Sequence, residues 1–249
     1  MSGHSKWSTI KRKKGAEDAK RGKIFTRLGR DITVAARSGG DPNANATLRM
    51  AVEKARAANM PKDNIERAIK KGTGELGGGN LDEIIYEAYA SHGIPVLINC
   101  LTDNRNRTLA DIRRVFNRQG GGLAEPGAVS WMFENKGYIA IERTDQDPDE
   151  LFMMAVDAGA EDVQTGDDFF EIYTSPDELH VVSTTLTKLG LKIAETELQP
   201  KPKNEIELNK KETMQVLGLL EALEELDDIQ GVYSGLGISE SMMAQLEGD

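Results

Sequence analysis

One five-residue signal occurs twice, 28 residues apart, and it limits the folds open to the middle of the chain. Asp147-Pro148-Asp149-Glu150-Leu151 and Ser175-Pro176-Asp177-Glu178-Leu179 each place a capping side chain before a proline. Acidic residues fill the first turn, with a glutamate at the capping-box position. Both should open a helix. Each follows a β-rich run, at 138–142 and 169–174, and each helix leads into another, at about 162–165 and 192–198. The order is β-α-β-β-α-β, a ferredoxin-like unit with right-handed crossovers.

The flanking sequence spells the same order a second time. Strands are predicted at 84–90 and 94–101 around a His92-Gly93 turn. Thr108 should cap a helix with Asp111 three residues on, and Leu109, Ile112, Val115 and Phe116 form its stripe. Gly120-Gly121-Gly122 should end it. A loop through Glu125-Pro126-Gly127 then leads to a strand at 129–133, with Val129, Trp131 and Phe133 on its core face. Asn135-Lys136-Gly137 should turn the chain into the strand at 138. A strand at 205–208, a helix at 212–226 and a strand at 229–233 complete the set. The first unit is thus predicted to be inserted into a hairpin of the second. Residues 81–136 plus 204–238 form a discontinuous α/β domain, 137–203 the inserted ferredoxin-like domain, and 239–249 a mobile tail.

Upstream the period changes from strand to helix. A helix over 19–37 should bury Ile24, Leu28, Ile32 and Ala35, with Phe25 beside them. A second, over 45–59, should bury Leu48, Ala51, Val52, Ala55 and Ala58. A third begins at Pro61, with Gly72 in the left-handed position after its end. Thr73–Asn80, rich in glycine, reads as a linker; it lacks the Gly-Lys-Ser/Thr ending of a phosphate loop. The fold class is therefore α+β: an N-terminal three-helix domain over 1–80, then two ferredoxin-like βαββαβ-type α/β domains, one inserted into the other.

Charge separates these parts. Residues 1–80 carry +10 and residues 81–249 carry −20. The positive charge concentrates in the first thirty residues, the mark of a polyanion-binding end. Candidate nucleic-acid contacts are Lys6, Trp7, Lys11, Arg12, Lys13, Lys14, Lys20, Arg21, Lys23, Arg27, Lys62, Lys70 and Lys71. Trp7 and Phe25 lie among these cations, where aromatics can stack on bases. A second candidate contact combines Asn104, Arg105 and Arg107 with Gly120, Gly121 and Gly122. Its competing reading is loop chemistry and helix capping.

Other classes find little support. No apolar run reaches membrane-spanning length, and the basic N-terminus lacks the apolar stretch of a secretory signal. Cys100 is the only cysteine and reads as a small core residue. A cytoplasmic location is expected. His4, His92 and His180 are scattered, and no catalytic or metal-ligand spacing is visible. Residues 145–178 hold twelve carboxylates and no Lys or Arg; without compact spacing they read as a solvated face that repels nucleic acid. No enzyme activity, cofactor, metal, small-molecule substrate or membrane is expected.

Several stretches resemble the YebC/PmpR family across nearly the whole chain. They are Gly3-His4-Ser5-Lys6-Trp7, Lys11-Arg12-Lys13-Lys14, Arg21-Gly22-Lys23, Asn59-Met60-Pro61-Lys62-Asp63-Asn64-Ile65, Thr102-Asp103-Asn104-Arg105-Asn106-Arg107-Thr108 and Gly120-Gly121-Gly122. The resemblance implies a helical domain plus two α/β domains, and a regulator of gene expression that binds nucleic acid. Bacterial members are described as transcriptional regulators that bind DNA and are also linked to the ribosome; mitochondrial relatives activate translation. The partner is thus ribosomal RNA or promoter DNA. Physical reasoning leans to RNA and a translation factor, because a body of −20 cannot wrap duplex DNA and no recognition helix with base-reading side chains is evident.

Overall fold

The computed structural model describes residues 17–76, 81–143, 147–165 and 169–247. Three apolar cores organise them. The first lies among helices α1 (Glu17–Ala35), α2 (Ala46–Ala57) and α3 (Lys62–Gly72), where Leu28, Ile32, Leu48, Val52, Ala55 and Ile65 are buried. Alanines at the crossings let the helices approach closely. Asn45 caps α2 by accepting from the Leu48 amide, and Pro61 stands immediately before α3. Two expectations fail here. Ile24 is 47% exposed, one turn too early to reach α2 and α3. Gly72 lies inside the last turn of α3, not beyond it; a Cβ there would fall on the Thr33 carbonyl oxygen and within 2.6 Å of the Ala36 Cβ. Gly72→Ala should therefore cost about 1–3 kcal/mol in thermal or urea unfolding, because backbone and not a flexible side chain must move.

The second core lies under a sheet of order β3-β1-β2-β9, formed by β1 (Asp82–Tyr89), β2 (Pro95–Thr102), β3 (Gly122–Leu123) and β9 (Ile229–Ser234). Helices α4 (Arg105–Gln119) and α7 (Lys210–Glu224) cover one face through Ile112, Phe116, Val216, Leu219, Leu220 and Leu223. Cys100 is buried in β2, and burial pushes its thiol up to about 12. The third core belongs to the sheet of order β5-β6-β4-β7: β4 (Phe133–Glu142), β5 (Asp162–Thr165), β6 (Phe169–Thr174) and β7 (Ile193–Pro202). It is covered by α5 (Pro148–Asp157) and α6 (Leu179–Lys188). All its pairings are antiparallel, and its order is the ferredoxin-like one.

The α+β class stands as read, with local differences that have physical causes. The second sheet differs from the third in strand order, because β1, the first strand of its unit, stands between β3 and β2 in the place expected for the strand at 205. β8 (Ile206–Glu207) instead pairs in parallel with β10 (Leu236–Gly237) as a separate ladder. No strand covers 129–132: Ser130–Met132 is a 3-10 turn, and Trp131 is 64% exposed. The loop is held from below, because the Glu87 carboxylate accepts from the amides of Gly127 (2.7 Å), Val129 (2.5 Å) and Ser130 (2.8 Å). Asn135-Lys136-Gly137 does not turn; all three pair with β7, and Gly137 also with β6, inside one ten-residue strand. The expected boundary at 136/137 thus falls within β4, whose Phe133 packs with Leu97 and Val129 while Ile139 and Ile141 enter the third core.

Helix starts also differ. Asp147 caps α5 as expected, accepting from the Asp149 amide with Pro148 following. Ser175-Pro176-Asp177-Glu178 forms a turn, and α6 begins only at Leu179 with no capping side chain. Asn104, not Thr108, caps α4; Thr108 is buried one turn further on. The expected mobile tail is instead helix α8 (Glu240–Glu247), anchored by Met243 and Leu246 in the second core. A fragment spanning 133–203 is expected to fold alone, giving a cooperative thermal melt by circular dichroism; a random-coil spectrum would refute its independence.

Candidate nucleic-acid interface

The thirteen nominated contacts separate into four groups. Lys6, Trp7, Lys11, Arg12, Lys13 and Lys14 lie outside the described residues. Lys20, Arg21 and Lys23 belong to the first turns of α1, where only the backbone is described. Lys62, Lys70 and Lys71 project from α3 and are exposed, with Arg67 on the same helix. Lys62 lies 3.5 Å from Glu66, a weak solvent-exposed pair that leaves it available. Lys70 and Lys71 fall in the last turn, where cations also complement the helix dipole. Phe25 packs against the helical core and is not presented for stacking.

Arg27 has a different place. Its Nε donates to the Ile229 carbonyl at 3.0 Å and a terminal nitrogen donates to the Glu224 carbonyl at 3.2 Å. It joins the helical domain to the second unit. Arg30, one turn of α1 away, donates to the Asp227 carbonyl and pairs with Asp228 at 2.8 Å. Arg37 donates to the Leu81 carbonyl. On α2, Lys54 lies 3.2 Å from both Glu195 and Glu197 of β7. Four cations of the basic domain are therefore spent on the acidic body.

Asp228 is the centre of this seam. It accepts from Arg30, from Arg107 (2.9 Å), from Thr102 (3.1 Å) and from Thr108 (2.7 Å). Burial alone would raise its pKa, but hydrogen bonds from Thr108 and Arg107 and the charges of Arg30 and Arg107 hold it below the usual carboxylate range. Asp31 behaves oppositely. Burial raises it to about 6, against the lowering effect of Lys54 and with a further push from Glu197. For Lys54 itself burial disfavours the charge, yet Glu197 and Glu195 keep its pKa above the ordinary value. Because the folded pKa of Asp31 exceeds the unfolded one, its contribution is favourable at low pH and is lost as pH rises through about 6. Asp31→Asn should raise the melting temperature at pH 7.5, and the gain over the parent should shrink as pH falls below about 6 and vanish only below the ordinary value of 3.8; scanning calorimetry across that range checks it.

The second nominated contact does not form one site. Asn104 accepts from the Arg107 amide as the α4 cap. Arg105 pairs with Asp82 at 2.7 Å, and Arg107 with Asp103 at 2.9 Å besides Asp228. The glycines lie at the other end of α4, about 22 Å away at 1.5 Å per residue. Gly120 ends that helix, and Gly121, at φ 86°, brings β3 so near β1 that a Cβ would come within 2.9 Å of the Ala90 Cα. Each group thus has a structural role. Sequence reasoning missed Asp31, Lys54, Glu195, Glu197 and Asp228; Asp228 meets Thr108 across 120 residues and Lys54 meets Glu197 across 143. Among the described residues no cluster of three His, Cys, Asp or Glu side chains is placed to hold a metal, and no helix is long and apolar enough to cross a membrane.

The family model described as the TACO1/YebC protein N-terminal domain matches residues 5–75, and that described as the TACO1/YebC second and third domain matches 81–236. A probable transcriptional regulatory protein of Desulfotalea psychrophila is 53% identical over 248 residues, 99% of each chain. Another, from Dehalococcoides mccartyi, is 52% identical over 235 residues, 94% of each. The crystal structure of a conserved hypothetical protein from Aquifex aeolicus superposes with a TM-score of 0.84 at 47% identity, covering 90% of this chain and 93% of that one.

Proposed function

This chain belongs to the TACO1/YebC family, and on that premise we propose that it is a non-enzymatic, nucleic-acid-binding regulator of gene expression in the cytoplasm. The observation that carries the reading is the charge division: +10 over residues 1–80 against −20 over the rest. An acidic body presents only its basic end to a polyanion. The contacts are Lys6, Trp7, Lys11, Arg12, Lys13, Lys14, Lys20, Arg21 and Lys23, with Lys62, Lys70 and Lys71 on α3. Arg27 serves the seam. The relatives' names speak of transcription, which makes promoter duplex the first target to test.

A second target, structured RNA on the ribosome, is favoured by one specific feature. Arg30 and Lys54 tie the acidic units directly to the helical domain. A duplex bending around that domain would meet their carboxylates, whereas RNA gripped locally by shape and phosphate would not. The deciding experiment is a competition at matched ionic strength between the tightest promoter fragment, random duplex and purified ribosomes. A transcriptional regulator should prefer its operator over random duplex by on the order of 10³-fold or more. Ribosomes outcompeting both duplexes would support the translation reading, and no binding to any of the three would remove the nucleic-acid reading.

A further inference from the structure

We propose that the outer face of α5 is a docking surface for a basic amphipathic helix of a partner protein. α5 is apolar on both sides. Leu151 and Ala155 face the third core beneath it. Phe152, Met153 and Val156 point away and are 47%, 58% and 44% exposed. At helical spacing these three form one stripe with Asp149. The outer helix of a two-layer unit should carry polar residues there; a helix apolar all round belongs beneath another element. Among the described residues no element covers it. The neighbouring α6 adds Val181, 61% exposed. Single exposed apolar side chains are ordinary, whereas a grouped set marks an interaction site.

Charge selects the occupant. Residues 145–178 hold twelve carboxylates and no cation. Asp149, Glu150 and Asp157 on α5, with Asp177 and Glu178 before α6, are exposed about the stripe. An apolar stripe edged by carboxylates matches a helix with apolar residues at i, i+3, i+4 and i+7 and Lys or Arg on its flanks. A second copy of this chain fits poorly, because an isologous pair would bring carboxylates against carboxylates. A nucleic-acid backbone is repelled outright. The surface therefore stands independently of the basic domain and of the function proposed for it.

The test uses the full chain and two Leu/Lys peptides of identical composition, one patterned as an amphipathic helix and one scrambled. By titration calorimetry the patterned peptide should bind at least roughly ten-fold more tightly than the scrambled one. The double substitution Phe152→Ser, Met153→Ser should abolish that preference. Because both side chains are exposed, its thermal melt should match the parent. If that variant is unstable, Asp149→Asn with Asp177→Asn should weaken the patterned peptide and steepen nothing in the melt. Equal binding of both peptides would reduce the face to bulk negative charge and overturn the proposal. So would a preference that survives both variants, or sedimentation showing a dimer that Phe152→Ser, Met153→Ser dissolves, since the occupant would then be a second copy.

Discussion

Asp228→Ala should unfold the protein more readily by about 3–5 kcal/mol, the cost of breaking a buried charge away from its partners. The Asp228 side chain is only 7% exposed, and four residues donate to it. Alanine leaves the Thr102 hydroxyl without its acceptor, takes from Thr108 its shortest bond, and leaves Arg30 facing Arg107 across the gap. The melting temperature should fall by roughly 6–20 °C. Asp228→Asn should lose less, since its carbonyl can still accept from Thr108. The pH profile provides an independent check. The folded pKa lies below the unfolded value, so the stability Asp228 contributes is present above the usual carboxylate range and is lost as pH falls through the folded pKa. Both variants should therefore show a flatter acid limb than the parent. A loss under about 1 kcal/mol, the size of an exposed ion pair, would show that the seam does not depend on this carboxylate.

The same residues show where sequence reading reaches and where it stops. The caps at Asn45 and Asp147 act locally, on amides two or three residues away, and such signals are readable from the chain alone. The nearly identical stretch at Ser175 fails because β6 ends at Thr174 and the chain must first turn away from the end of that strand. Met243 and Leu246 carry too short a pattern to announce a helix; α8 forms because the second core accepts them. Trp131 looked like a core residue by alternation, yet the Glu87 carboxylate gathers three loop amides, those of Gly127, Val129 and Ser130, and breaks the strand before it starts. For the candidate site the limit is sharper. Charge composition located the basic end, but it could not separate cations that face solvent from cations consumed by the body. Arg27 and Lys62 look equivalent in sequence; one is bonded to two carbonyls of the second unit, the other is free on α3 apart from a weak pair.

That distinction yields the second large effect. Replacing Lys11, Arg12, Lys13 and Lys14 together by alanine should weaken nucleic-acid binding and also flatten its salt dependence. Each phosphate neutralised contributes about 0.9 to the slope of log K against log salt on duplex DNA and about 0.7 on single strands. Four lost contacts would lower the slope by up to about 3.6 on duplex. Lys62→Ala with Lys70→Ala and Lys71→Ala should remove a further part of the slope, because those side chains are exposed on α3. Arg27→Ala should behave in the opposite way. Its guanidinium already donates to the carbonyls of Glu224 and Ile229, so the slope should stay unchanged while stability drops by about 1–3 kcal/mol. Fluorescence anisotropy with duplex and with structured RNA, over a range of salt, measures both quantities for each variant. A parental slope in the quadruple variant would place the phosphate contacts elsewhere. A slope lost in Arg27→Ala at full stability would mean that the seam opens to bind nucleic acid, and that the acidic body gives up its cations to do so.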